Sequence, residues 1–193
     1  MIKKPNETIK LWTRQNKNIL NDLEKNGVYK VKEEYISNKM DTIFNFYIER
    51  YEWYTKRASK VVPMPEGALY PIWLSTTSDI MLQLTEDTVI LELELDKNKV
   101  VFTDMNKWGY VINYFYLPLD LEDEAKHNKE LKKLAIGDET ALIMGDKGNF
   151  YPLLKNKVIK SWDRLFEPPK EITAEVQATL WEIKKEWIRN IIK

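Results

Sequence analysis

Arg14, the run Ser75-Thr76-Thr77 and Glu139 are the residues of this sequence whose types best suit chemistry on a phosphorylated sugar. Each is expected at or beside the end of a strand, where ligand groups are commonly presented. An arginine grips a diphosphate bidentately, and the hydroxyls of Ser75 and Thr76 can fix a sugar. A carboxylate such as Glu139 can stabilise the oxocarbenium-like transition state in which a glycosidic bond breaks. Neither a metal nor a histidine is required. Tyr110, Tyr114 and Tyr116 can stack a planar base, and Trp162 with Asp163 and Arg164 can line a pocket. The competing reading is that the tryptophans, among them Trp53, Trp73, Trp108, Trp162, Trp181 and Trp187, fill the core.

Other constellations carry less. Glu92 and Glu94 lie two apart on an expected strand, share one face and could hold a hard cation, but alternation with leucine accounts for the spacing and Lys97 and Lys99 can pair with them. His127, the single histidine, stands in Lys126-His127-Asn128-Lys129 and is expected on the exposed side of a charged helix. One histidine and no cysteine exclude multi-histidine metal sites, thiolate zinc, iron–sulfur clusters, disulfides and a cysteine nucleophile, so no metal is expected. A glycine-rich phosphate loop, a nucleophile elbow and a dinucleotide fingerprint are all missing.

Thirty basic residues balance thirty acidic ones, which gives no global case for a nucleic-acid partner and leaves only a local basic patch to argue one. Lys155, Lys157, Lys160 and the basic end of the last helix could form a phosphate-binding patch, although a solvated helix face accounts for them better. The N-terminus lacks an apolar h-region, and no run approaches the ~18 apolar residues of a membrane span. No membrane association and a cytoplasmic location are therefore expected.

The elements that must position these residues follow from periodicity. With 193 residues, 44% of them hydrophobic, residues 1–193 are expected to form a single α+β domain. Its central sheet is expected to be mixed or antiparallel, flanked by helices, with an amphipathic helix at the C-terminus. Strands are read at Thr8 to Arg14, Tyr70 to Thr77, Thr88 to Leu95 and Thr140 to Met144, with Val100 to Phe102 as a hairpin return. Helices are read from Ile19 to Asn26, closed by Gly27; from Asp41 to Lys60; from Asp120 as cap to Ala135; and from Leu153 to Phe166. Trp108 to Leu117 reads as a strand or a short buried helix. Thr173 caps the last helix, with Val176, Leu180, Ile183, Trp187 and Ile191 as its apolar stripe.

Two resemblances bear on function. The order of an arginine on the first strand, an aromatic–aliphatic strand ending Ser75-Thr76-Thr77, and a late Glu139 resembles the Arg-Ser-Glu pattern of ADP-ribosyltransferases. Over these three short pieces the resemblance implies an enzyme that cleaves NAD and transfers ADP-ribose to a macromolecule. Arg14 would hold the NAD phosphates or ribose, Ser75 and Thr76 would shape the nicotinamide ribose site, Tyr110 or Tyr114 would stack the nicotinamide, and Glu139 would be catalytic. Gly137 stands where that family carries Glu or Gln, so protein-arginine specificity is not implied.

The second resemblance covers nearly the whole chain. Leu11-Trp12-Thr13-Arg14-Gln15, Tyr70-Pro71-Ile72-Trp73-Leu74-Ser75, Asn149 to Leu154, Ser161 to Phe166 and Val176 to Trp181 are similar to the bacterial domain-of-unknown-function family DUF3841. It implies a cytosolic stand-alone protein and carries no activity with it. The rival to the enzyme is a non-enzymatic module that binds a protein partner or RNA through aromatic and basic surface.

Overall fold

The alternation at the N-terminus becomes strand β1 (Thr8–Asn16) in the computed structural model, which describes residues 7–31 and 44–193. β1 pairs antiparallel along its whole length with β4 (Thr88–Asp96), Thr8 lying opposite Asp96 and Asn16 opposite Thr88. Side chains alternate between the faces of a strand, so Leu11, Leu91, Leu93 and Leu95 gather on one side. There they join Leu74 of β3 (Ile72–Ser75) and Ala178 and Leu180 of β6 (Val176–Leu180). Helix α1 (Ile19–Asn26) adds Ile19 and Leu23 to the same cluster. Each such leucine buried stabilises the fold by about 1.5–3 kcal/mol relative to an exposed one. Gly27 closes α1 at φ 70°, a left-handed turn that puts its N–H on the Leu23 carbonyl.

The opposite face carries α2 (Phe44–Val61); residues 41–43 of the expected helix lie outside the described residues. Its Tyr54 is fully buried, with the hydroxyl 2.6 Å from Thr103 Oγ1 and 3.0 Å from Thr179 Oγ1 and the ring 5.1 Å from that of Trp73. Burial pushes the Tyr54 hydroxyl up to about 12, against the smaller opposing effect of the two threonines.

The six-stranded sheet runs β5-β6-β3-β1-β4-β8, with β5 at Val101–Asp104 and β8 at Ile188–Ile192, and a separate two-stranded ladder joins β2 (Val28–Tyr29) to β7 (Ile183–Lys184). Antiparallel sheet and flanking helices make the fold α+β. Two expectations are corrected here. Val100 to Phe102 does not return beside β4 as a hairpin: β5 pairs with β6 at the far edge. The C-terminal amphipathic helix is absent, and residues 176–192 form β6, β7, a 3₁₀ turn over Lys185–Trp187 and β8. Val176, Ala178 and Leu180 also alternate with period two, and β6 finds a ladder against β3 that satisfies its backbone (Leu74 opposite Ala178). Long-range pairing overrides a helical stripe that was only one of two periods present.

The described chain divides into two compact units: the sheet unit, up to Thr103 and again from Pro168, and a helical unit, Asp104–Glu167. In the helical unit, Asp104 caps α3 (Met105–Ile112) by accepting from the N–H groups of Asn106 and Lys107, so the open reading of Trp108 to Leu117 is helix as far as Ile112 and neither helix nor strand beyond it. Asp120 caps α4 (Leu121–Lys133) through the Asp123 N–H. Short helices α5 (Thr140–Ile143) and α6 (Lys147–Phe150) precede α7 (Pro152–Ser161) and a 3₁₀ turn over Trp162–Phe166. The expected strand at Thr140 to Met144 is α5: the Glu139 carbonyl accepts from Leu142 and Ile143, and four apolar residues are too few for periodicity to separate helix from strand.

Candidate functional site

The segment Tyr114 to Leu119 of the helical unit is neither helix nor strand, so its peptide groups need partners from side chains. They find them. Trp162 Nε1 donates to the Phe115 carbonyl at 2.8 Å, the Tyr116 N–H donates to Glu139 Oε1 at 3.1 Å, and the Leu117 N–H donates to Ser161 Oγ at 2.9 Å. Arg164 donates to the Leu117 carbonyl, and the Leu119 N–H donates to Asp123 Oδ2 at 2.9 Å. Tyr114 sits at φ 64°, a left-handed turn that redirects the chain between α3 and this segment.

Glu139, just ahead of α5, is joined on the same oxygen by His127 Nε2 at 3.0 Å. The His127 ring, 1% exposed, stacks on the Tyr116 ring with centroids 4.1 Å apart and 22° between planes. His127 is therefore not the exposed residue expected from its charged neighbours. It lies four residues before Leu131 on α4, and that spacing puts both on the buried face. The His127–Leu131 step was the signal in the sequence, masked by Lys126 and Lys129.

Burial alone would raise the Glu139 carboxyl, but the hydrogen bonds from His127 and the Tyr116 N–H outweigh it and hold the group below the ordinary carboxylate value. Oε1 takes both bonds, and Oε2 accepts none from another described residue. His127 Nδ1 is buried with no hydrogen-bond partner among the described residues. Tyr110, Phe115, Tyr116, His127 and Glu139 line a cavity of about 220 Å³ together with Glu124 and Asn128. The arrangement is an ionised carboxylate with one oxygen anchored, in a wall of aromatic rings. That suits a cationic ring or a developing positive centre.

Asp123, one turn before His127 on α4, accepts from the Leu119 N–H, from the Tyr116 hydroxyl at 2.9 Å and from Arg164 at 3.3 Å, and these hold its carboxyl below the usual range.

Of the other residues singled out by the sequence, Tyr110 lines this cavity and Tyr114 is buried, its ring 6.3 Å from that of Trp162. Arg14, Ser75 and Thr76 belong to the sheet unit. Arg14 follows by two residues Trp12, whose partner on β3 is Ser75, so Arg14 and Ser75 share a face. Arg14 Nη1 donates to the Gln83 carbonyl at 2.7 Å, and Ser75 Oγ to the Ile80 carbonyl at 3.1 Å. Both tie down the connection from β3 to β4. Thr76 Oγ1 donates to the Val176 carbonyl at 2.6 Å and stands 3.2 Å from the Thr173 carbonyl, holding the start of β6. Glu92 pairs with Lys10 and Glu94 with Arg189. No cluster of three metal-ligating residues exists among the described residues, and no helix there is long and apolar enough to cross a membrane.

These features define an α+β protein with an antiparallel sheet and a buried histidine–carboxylate pair in its helical unit. The chain belongs to the family described as domain of unknown function (DUF3841), whose model matches residues 10–189. No curated protein and no solved structure matches it.

Proposed function

We propose that the helical unit carries an enzyme site acting on a glycosidic bond, with NAD as substrate and ADP-ribose passed to a macromolecular acceptor. The observation that carries this reading is Glu139: a carboxylate held ionised by His127 and the Tyr116 N–H, inside a cavity walled by Tyr110, Phe115 and Tyr116. The rings and carboxylate fit the positively charged nicotinamide and its ribose. As the bond from ribose C1′ to nicotinamide N1 breaks, the electron pair leaves with nicotinamide, and the Glu139 charge stabilises the positive ribose that remains. The acceptor's nucleophile then forms the new bond at C1′, and its proton passes to a base. Arg14, Ser75 and Thr76 lie in the sheet unit, where each side chain donates to a backbone carbonyl, and this reading does not use them to hold NAD. Nicotinamide release from labelled NAD tests the reading: turnover by the native protein and its loss in Glu139→Gln support it, and absence of turnover with a panel of protein acceptors removes it.

A second reading rests on a different observation. Leu121, Phe150 and Leu153 of the helical unit are 83%, 76% and 84% exposed, and Leu119 and Met144 are also exposed. Such side chains suit a module that binds another protein. Under this reading the protein captures a partner whether or not NAD is present, and Leu153→Ser weakens the capture.

A further inference from the structure

Tyr116 lines a second cavity of about 390 Å³, within the range of small-molecule sites, whose other lining residues are Leu153, Asn156, Lys157, Lys160, Ser161 and Arg164. Three of the seven are cations and none is an acid. Lys157 Nζ lies 5.1 Å and Arg164 Cζ 5.3 Å from the centroid of the one Tyr116 ring. Like charges brought that close repel unless carboxylates or a bound anion compensate. Carboxylates do so in part: Glu130 accepts from Lys157 at 2.7 Å, and Asp123 lies 3.3 Å from Arg164. The side chain of Lys160, one helical turn beyond Lys157 on α7, has no hydrogen bond or ion pair among the described residues. The cavity therefore keeps an uncompensated positive charge beside a guanidinium already fixed in orientation by the Leu117 carbonyl.

We propose that this cavity binds the phosphate or diphosphate group of a nucleotide, with Lys160 and Lys157 supplying charge and donors and Arg164, its Nη1 held by the Leu117 carbonyl and Asp123, adding a fixed positive charge. The inference deepens the reading of the neighbouring Glu139 cavity, because Tyr116 lines both and a ligand spanning it would place phosphate on the cations and sugar at the carboxylate. It assigns the phosphates to helix α7 and the turn after it, not to Arg14.

The test is calorimetric titration of the full chain with inorganic pyrophosphate and with ADP-ribose, for the native protein, Lys160→Ala, Lys157→Ala and Lys132→Ala. Lys132 is exposed on α4 outside the cavity, so its variant carries the same change in net charge. Saturable binding of both probes, weakened about ten-fold or more by Lys160→Ala and by Lys157→Ala but unchanged by Lys132→Ala, supports the subsite, a ten-fold loss being what one charged contact contributes. Absence of saturable binding, or equal weakening by all three substitutions, overturns it. The two proposals separate cleanly. Lysine-dependent pyrophosphate binding in a protein that does not turn over NAD keeps the subsite and removes the NAD reading. Turnover of NAD that pyrophosphate does not inhibit and Lys160→Ala does not slow keeps the NAD reading and overturns the subsite.

Discussion

Tyr116 stacks on His127 while its own backbone N–H binds the Glu139 oxygen that His127 also binds, so two residues contact each other and share one carboxylate. The ring, the imidazole and the carboxylate form a closed unit. Removing any member leaves the other two with a buried group that has lost its complement, and the first predictions concern that unit.

Glu139→Gln keeps an acceptor for the Tyr116 N–H but removes the negative charge. Under the proposed function it lowers the rate of nicotinamide release about a hundred-fold or more, the scale of losing one electrostatic stabiliser of a transition state. Circular dichroism and the urea midpoint check that the variant is folded, and a rate equal to the native protein's removes Glu139 from the chemistry.

His127→Leu takes away one of the two described partners of a buried carboxylate and is expected to destabilise the protein by about 3 kcal/mol, the scale found when one partner of a buried pair is removed. Urea titration measures it, and a loss under ~0.5 kcal/mol, the usual size for an unconstrained surface position, would contradict the pairing.

Acid sensitivity follows from the direction of the Glu139 shift. Its carboxyl is held lower in the folded state than in the unfolded chain, so folding gains from the ionised group above the unfolded value. That gain disappears as the pH falls below the ordinary carboxyl range. Denaturant midpoints from neutral pH downward should therefore drop more steeply for the native protein than for Glu139→Gln, and identical slopes would refute the coupling.

Tyr54 gives the opposite sign. Its hydroxyl titrates about 12 in the folded protein against 10.0 when unperturbed, so the stability tied to its neutral form is present up to pH 10 and is lost as the pH rises toward 12. Phenolate absorbance followed against pH is expected to show a late-titrating component that Tyr54→Phe removes. The same substitution strands the buried hydroxyls of Thr103 and Thr179 and costs about 1–3 kcal/mol.

Gly148→Ala is expected to disturb the helical unit. A methyl group there would stand 2.1 Å from the Leu142 carbonyl oxygen, which is backbone and cannot rotate aside. The expected loss is about 1–3 kcal/mol, the range for forced overpacking. Gly109→Ala, where the added methyl meets nothing within 4 Å, serves as the control in the same thermal-unfolding assay.

What the sequence determined by itself was local. The alternation of Val89, Leu91, Leu93 and Leu95 specified β4, because a half-buried strand must read that way. Asn26-Gly27 ended α1, since glycine adopts the left-handed turn cheaply, and Asp120 opened α4 by accepting a helix N–H. Tertiary structure decided what depended on distant partners. Residues 176–192 carry both a helical and a strand period, and the ladders offered by β3 to β6, by β2 to β7 and by β4 to β8 selected the strands. β5 follows β4 in the chain yet pairs with β6, a choice made by which strand edges were open. Glu139 was marked by the sequence, but its partner was not. His127 sits among charges that read as solvent, and it becomes the ligand of a carboxylate only because residues 114–119 lack a ladder of their own and draw Glu139, Ser161, Trp162 and Arg164 in to satisfy their peptide groups. A buried peptide must find its hydrogen bonds wherever the fold supplies them, and one-dimensional periodicity does not record where that is.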